Sequence, residues 1–188
     1  DEALKERFGF REFWIDGKDF YLNGSRIYLS AVPLDNAQVG AVWASYAGAR
    51  ESLRRLKSFG INFVYTHNYG CEPGSHLSFD EILRAADDEG VLVALSQPPF
   101  SHYEWEGTDA DRALRAQAIV NRLDPTRIVY HHAGGDLGAM HTVNFYPNFV
   151  PIQEMSDWFE HWATVGVKPA FPCEYGAPFL WDWAMYRG

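Results

Sequence analysis

The feature that most constrains the fold of this chain is an alternation of strand-like apolar runs with helical stripes, which extends from residue 27 to residue 175. Some of the runs, such as residues 91–95, are almost continuously apolar, and this is typical of parallel strands that are covered on both faces. Strands that alternate with helices in this way indicate parallel βα units. The recognisable strands begin near six positions: Ile27, Ile61, Val91, Ile128, His141 and Ala170.

Helices are predicted between these strands from the spacing of apolar residues and from the signals at helix ends. They cover residues 47–59, 78–89, 108–123 and 152–165. Ser78 and Glu81 form a capping box, while Gly60 and Gly90 end the first two helices. The last helix is predicted to bury a stripe of four residues: Ile152, Met155, Phe159 and Trp162.

A different pattern precedes the βα region, because the first 29 residues consist of short aromatic and β-branched runs separated by turn residues. The dipeptides Asp16-Gly17 and Asn23-Gly24 lie between these runs. Such dipeptides favour type I′ turns, in which both central residues have positive φ. We therefore expect an antiparallel hairpin segment over residues 1–24 and a βα domain over residues 25–188.

The commonest closed arrangement of βα units is the eight-stranded TIM-like (β/α) barrel, which typically takes about 250 residues. This chain has 188 residues and about six recognisable strands, so the pattern predicts an α/β fold with an incomplete or shortened barrel. If the barrel is closed, the further strands should lie in residues 30–44 or 97–107. No glycine-rich phosphate loop follows any strand, which argues against nicotinamide and flavin cofactors.

Composition and charge narrow the possible partners and locations. The net charge of −9 opposes phosphate backbones, so nucleic acid is not an expected partner. No apolar run reaches the roughly 20 residues that span a bilayer, and the N-terminus lacks the apolar region of a signal peptide. We therefore expect a soluble chain that does not bind membranes, in a compartment that the sequence leaves open.

The cysteines and histidines do not predict a bound cofactor or metal. Cys71 and Cys173 are too few for a disulfide framework and have no metal-ligand spacing between them. His67 and His76 lie near Cys71, but their spacing matches no regular zinc motif. A serine hydrolase is also not expected, because the chain has no G-x-S-x-G motif.

A series of short motifs carries more specific information, and the motifs run in one order along the chain. They are GFR at 9–11, FYLNG at 20–24, LKSFGINFV at 56–64, THNY at 66–69, DEGVLV at 88–93, LDPTR at 123–127, VNFY at 143–146 and CEYG at 173–176. The series resembles the catalytic barrel of glycoside hydrolase family 2, the group of β-galactosidases, β-glucuronidases and β-mannosidases. The resemblance implies a carbohydrate substrate and hydrolysis of β-linked O-glycosides with retention of configuration.

The resemblance also assigns roles, with one gap. Glu174 stands where the family has its nucleophile, whereas the family's Asn-Glu pair, whose Glu is the acid/base, does not occur in this chain. Glu104 and Glu106, in an aromatic loop after the third strand, and His131, which with His132 follows another strand, are the candidates for the acid/base. The residues expected to bind the sugar carry amide, imidazole or aromatic groups: His67, Asn68, Asn144, Tyr146, Tyr175 and Trp181.

Strand geometry makes a further prediction about the residue before the nucleophile. On a regular strand Pro172 and Glu174 share one face, which leaves Cys173 on the opposite face as a buried and inert thiol. Two alternatives to an active glycosidase stay open at this point. One is a non-catalytic, degenerate carbohydrate-binding barrel, and the other is a shortened barrel whose site is completed in a homo-oligomer.

Overall fold

The computed structural model of the chain describes residues 8–35, 41–67, 79–95, 109–132, 134–145 and 151–175. The strands are β1 (Phe13–Asp16), β2 (Asp19–Leu22), β3 (Ser25–Ile27), β4 (Ala31–Asp35), β5 (Phe63–His67), β6 (Leu92–Ala94), β7 (His141–Phe145) and β8 (Ala170–Tyr175). The helices are α1 (Tyr46–Ser58), α2 (Phe79–Glu89), α3 (Asp109–Leu123) and α4 (Ile152–Val165), with a 3₁₀ helix at Ala41–Ala44. The four predicted helices are thus confirmed to within one residue at their described ends.

The first three strands form an antiparallel sheet in the order β1-β2-β3, as the turn residues predict. Asn23 and Gly24 join β2 to β3 and both have positive φ, at 49° and 82°, which is the type I′ pattern. The first turn differs from the prediction, because Gly17 and Lys18 are its central residues and only Gly17 has positive φ. That pattern belongs to a type II′ turn.

Residues 28–109 form one compact unit around a parallel sheet of order β4-β5-β6. Helices α1 and α2 pack on each other and bury Leu53, Ile82 and Ala85 completely, with Val64 of β5 in the same core. Ser45 caps the N-terminus of helix α1, and its side chain accepts a hydrogen bond from the Gly48 amide. This capping satisfies one of the amides that a helix N-terminus leaves unpaired.

The second unit consists of residues 1–27 together with 110–188 and contains the parallel pair β7-β8. Helix α4 follows β7, and the rings of Trp158 and Trp162 pack against His141, with centroid separations of 5.4 and 4.2 Å. Phe145, the last residue of β7, meets Trp158 edge-on at 4.8 Å. An aromatic cluster therefore holds α4 beside the strand that precedes it.

Several expectations about strands and burial are wrong. The strand near Ile27 is the end of the antiparallel sheet, and the first parallel strand is β4, because the Asn23-Gly24 turn pairs Ile27 back with Phe20. Residues 128–130 form no strand in the described part of the chain, since an apolar run becomes a strand only beside a partner.

The predicted buried stripe of α4 is wrong in part. Ile152 is 69% exposed and Phe159 is 40% exposed, whereas Trp162, also in the predicted stripe, packs together with Trp158 against His141. The fold class is therefore confirmed at the level of a mixed α/β chain with parallel strand pairs. A closed barrel is not formed by the residues that the structure describes. The division at residue 24 stays a prediction.

Candidate functional site

The candidate site is built at the C-terminal end of β8, where the strand departs from regular pairing. Val143 pairs with Pro172 and Asn144 pairs with Glu174, so Cys173 is passed over in the register. An extra residue of this kind is a β-bulge, which bends the strand and re-aims the side chains that follow it. The bulge therefore determines the direction in which Glu174 projects.

Cys173 is buried, as predicted, with 3% of its surface exposed. The expected separation of Cys173 from Glu174 does not hold, because the ring of His132 has hydrogen bonds with both side chains. Strict alternation fails at the bulge, where two residues of one strand oppose one residue of its neighbour. The sulfur of Cys173 also contacts the carbonyl oxygen of Phe171 at 3.7 Å.

His132 and Glu174 form the central contact of the site. The distance from Nε2 of His132 to Oε1 of Glu174 is 2.9 Å, and the two side chains are 19% and 24% exposed. Burial by itself lowers the pKa of His132, but the hydrogen bonds and charge attraction from Cys173 and Glu174 outweigh burial and raise the pKa from 6.5 to about 9. At neutral pH His132 is therefore an imidazolium that donates to the Glu174 carboxylate.

His131, a candidate for the acid/base, lies beside this pair in the chain but has a different environment. Its Nε2 is 2.8 Å from Oε1 of Gln117 on α3, and burial lowers the pKa of its ring. The ring is therefore neutral over a wider pH range than an exposed histidine. The role of His131 as an acid/base stays a prediction.

The loop that carries both histidines is held by Thr142 of β7. The hydroxyl of Thr142 donates to the carbonyl oxygen of His131 and accepts from the amide of Gly134 at 2.9 Å. The backbones of Gly135 and Thr142 exchange two further hydrogen bonds, of 2.9 and 3.0 Å. Because Thr142 is only 1% exposed, these bonds are shielded from water and fix the loop to the sheet.

Asn144 lies opposite Glu174 in the parallel register. Its Oδ1 is buried and has no hydrogen-bond partner among the residues that the structure describes. A buried acceptor without a donor costs about 1–3 kcal/mol, so an atom of this kind normally has a partner, such as water, an ion or a ligand. A hydroxyl group bound next to Glu174 could supply the missing donor.

The other expected sugar-binding and acid/base residues are only partly described. Tyr175 ends β8 with 71% of its surface exposed, and His67 ends β5 in the other unit, where only its backbone is described. Five candidates lie outside the described residues: Asn68, Glu104, Glu106, Tyr146 and Trp181. The described part of the chain contains no cluster of three or more His, Cys, Asp or Glu side chains that could hold a metal ion.

Sequence reasoning missed the contact between His132 and Glu174, although it noted both residues. The two are 42 positions apart, and nothing in the pattern shows which ring of the His131-His132 pair turns towards β8. The bulge was also missed, since it arises from the pairing of two strands.

Among the described residues, no helix is long and apolar enough to cross a membrane.

Comparison with known proteins gives two informative matches. The chain is 30% identical over 131 residues to a β-galactosidase of Arthrobacter sp. (strain B7), and this match covers 66% of the chain and 12% of the β-galactosidase. The fold is similar to that of the GH2 β-galacturonidase of Eisenbergiella tayi, solved with galacturonate, with a TM-score of 0.66 and 18% identity. That alignment covers 90% of the chain and 39% of the solved structure. No protein-family profile matches the chain.

Proposed function

We propose that this chain, which is related to the glycoside hydrolases of family 2, is part of a retaining glycosidase that uses Glu174 as its nucleophile. The observation that carries the proposal is the arrangement at the ends of β7 and β8. Glu174 is partly buried there, opposite an asparagine whose buried Oδ1 lacks a donor among the described residues. In βα architectures, groups at the C-terminal ends of parallel strands form the active site.

The proposed reaction has two steps. A carboxylate oxygen of Glu174 attacks the anomeric carbon, the glycosidic C–O bond breaks, and its electron pair stays on the leaving oxygen, which an acid protonates. In the second step a water oxygen attacks the same carbon, its proton passes to the conjugate base of that acid, and the ester electron pair returns to Glu174. Glu104, Glu106 and His131 remain the candidates for the group that supplies and then accepts the proton.

Asn144 has a distinct role in this proposal. Its Oδ1 accepts a hydrogen bond from a sugar hydroxyl close to the anomeric centre, which satisfies the buried acceptor. The names of the relatives suggest the sugars to test first, a β-galactoside and a β-galacturonide. Both have hydroxyl groups that could donate to an amide oxygen.

The test traps the covalent intermediate. A 2-deoxy-2-fluoro glycoside with a dinitrophenolate leaving group reacts with the nucleophile faster than the ester is hydrolysed, so the ester accumulates. Mass spectrometry of the wild-type protein should place the sugar on Glu174, and Glu174→Gln should lose labelling and about 10⁴-fold or more of turnover.

The matched control for this experiment is Glu160→Gln, which changes an exposed carboxylate on α4 and should leave labelling intact. Labelling of another carboxylate, or unchanged turnover in Glu174→Gln, would contradict the assignment of the nucleophile.

The missing Asn-Glu pair favours a second candidate, a sugar-binding protein without catalysis. Such a protein binds the glycoside but forms no ester with the fluoro sugar. Its affinity falls in Asn144→Ala, because the buried acceptor no longer meets the sugar. Binding measured by calorimetry without any trapping would support this candidate over the glycosidase.

A further inference from the structure

The loop around His132 is held in place by hydrogen bonds of its neighbouring residues. The bonds of Thr142 to the carbonyl of His131 and to the amide of Gly134 hold the backbone on either side of His132. The neighbouring ring of His131 is tied to Gln117 and cannot exchange places with that of His132 without breaking a 2.8 Å bond. The backbone around His132 is therefore held to the sheet by bonds that do not involve Glu174.

The bulge in β8 completes this arrangement. It brings both Cys173 and Glu174 against the His132 ring, although these residues are adjacent in the strand. Cys173 is only 3% exposed, so its contact with the ring is shielded from water. Cys173 and Glu174 are both titratable groups of β8 that face the ring.

We propose that His132 is a positioning residue for Glu174 whose positive charge also favours the departure of the carboxylate in the second step of the reaction. This inference rests on the proposed function, because it needs Glu174 to be the nucleophile. It assigns His132 a role different from that of an acid/base, since His132 transfers no proton to or from the substrate.

The physical reason is the change in charge on Glu174 during the reaction. In the first step the carboxylate becomes a neutral ester, so its attraction to the imidazolium weakens. In the second step the ester bond breaks and the negative charge returns to the carboxylate next to His132. The imidazolium therefore stabilises the transition state of the second step relative to the ester that precedes it.

The raised pKa supports this role without being its basis. In the free enzyme a pKa of about 9 keeps the ring protonated at neutral pH. In the ester Glu174 carries no charge, so the pKa of the ring lies between its ordinary value and that of the free enzyme. The second step should slow as the pH rises through this lower pKa. The alkaline limb of the rate profile then reports His132.

The kinetic test uses a dinitrophenyl glycoside, for which the first step is fast and the second limits kcat. In His132→Phe we expect kcat to fall about 10- to 100-fold, the effect of losing one charge-assisted hydrogen bond. KM should fall in parallel, because the ester accumulates, so kcat/KM changes much less. His132→Gln keeps a donor near the position of Nε2 without the charge, and should recover part of kcat while losing the alkaline limb.

The matched control is His161→Gln, which replaces an exposed histidine on α4 and should leave both constants and the limb unchanged. A merely structural role predicts a fall in kcat/KM as large as that in kcat. That outcome, or an alkaline limb of kcat that is the same in His132→Gln as in the wild-type protein, would overturn the inference while the trapping of Glu174 still supports the enzyme.

A second measurement does not depend on the folding of His132 variants. Titration of the histidine ring signals by NMR in the wild-type protein should give His132 a midpoint near 9, and Glu174→Gln should move it towards 6.5. If the titration midpoint of His132 is the same in Glu174→Gln as in the wild-type protein, the inference is overturned. If the fluoro sugar labels no residue of the wild-type protein, the proposed function fails and the inference falls with it.

Discussion

Asn62 shows how a single side chain can replace a missing stretch of sheet pairing. Its Nδ2 donates to the carbonyl of Tyr28 at 2.8 Å, and its Oδ1 accepts from the amide of Ser30 at 2.8 Å. The amide thus ties the chain entering β4 to the chain entering β5. This contact gives a structural reason for the asparagine in the LKSFGINFV segment.

Replacing Asn62 by alanine should lower the free energy of unfolding by about 1–3 kcal/mol, because two backbone groups lose their partners. Chemical denaturation of the purified protein measures the change. Asn121→Ala, which alters an exposed residue of α3, is the control and should have little effect. Equal effects of the two substitutions would show that the bonds of Asn62 contribute nothing beyond an exposed amide.

The paired His132 should make stability depend on pH in a defined window. Its folded pKa of about 9 lies above the unfolded value near 6.5, so folding takes up a proton between these values. The contribution is fully present below pH 6.5 and is lost as the pH rises through 9, by up to about 3 kcal/mol. Denaturation at pH 6.5 and pH 9.5 should show this loss in the wild-type protein but not in His132→Gln. The same loss in both proteins would contradict the assignment.

At the scale of secondary structure elements, α1 shows that helix propensity can be overridden by packing. Gly48 lies in the first turn of α1, where the 3₁₀ helix at Ala41–Ala44 approaches closely. A Cβ atom built on Gly48 would lie 2.0 Å from the carbonyl oxygen of Val42 and 2.8 Å from its Cγ2. The glycine is therefore required by close approach of the backbone rather than by its φ angle.

Gly48→Ala should accordingly destabilise the protein by about 1–3 kcal/mol, the usual cost of overpacking, although alanine is the better helix former. The melting temperature relative to the wild-type protein measures the effect. Ala47→Gly, one position earlier and exposed, should cost about 1 kcal/mol through propensity alone. A melting temperature for Gly48→Ala above that of the wild-type protein would show that the 3₁₀ helix can move away from residue 48 without loss of stability.

At the scale of the whole molecule, the chain carries a net charge of −9 and matches only part of each relative. An excess of negative charge repels anionic ligands over distances of about 10 Å at 0.1 M salt. A neutral sugar does not experience this repulsion. The two sugars suggested by the relatives differ in this respect, since a uronide carries a carboxylate.

Raising the ionic strength from 0.02 to 0.5 M should therefore increase kcat/KM for an aryl β-galacturonide by up to about 10-fold. The value for the matching aryl β-galactoside should stay nearly constant and serves as the control. Initial rates at low substrate concentration measure both. A fall in kcat/KM for the uronide would indicate a local cationic group that binds its carboxylate and outweighs the field of the chain.

The sequence by itself determined the features that depend on neighbouring residues. The Asn23-Gly24 turn, the start of α1 after Ser45 and the ends of two helices at Gly60 and Gly90 follow from local backbone angles and hydrogen bonds. The helices and most strands were predictable for the same reason. The position of Glu174 at a strand end was also predictable, because its segment is apolar and short.

Only the tertiary structure decided which segments pair and which side chains meet. Residues 128–130 have the composition of a strand but form none, whereas Ala31–Asp35 pairs with β5. The bulge at Cys173 depends on the register between β7 and β8, and the loop that carries His132 is held to β7 by the hydroxyl of Thr142. These outcomes come from contacts between residues far apart in the chain, and a local pattern carries no information about which of several apolar or polar groups will be neighbours.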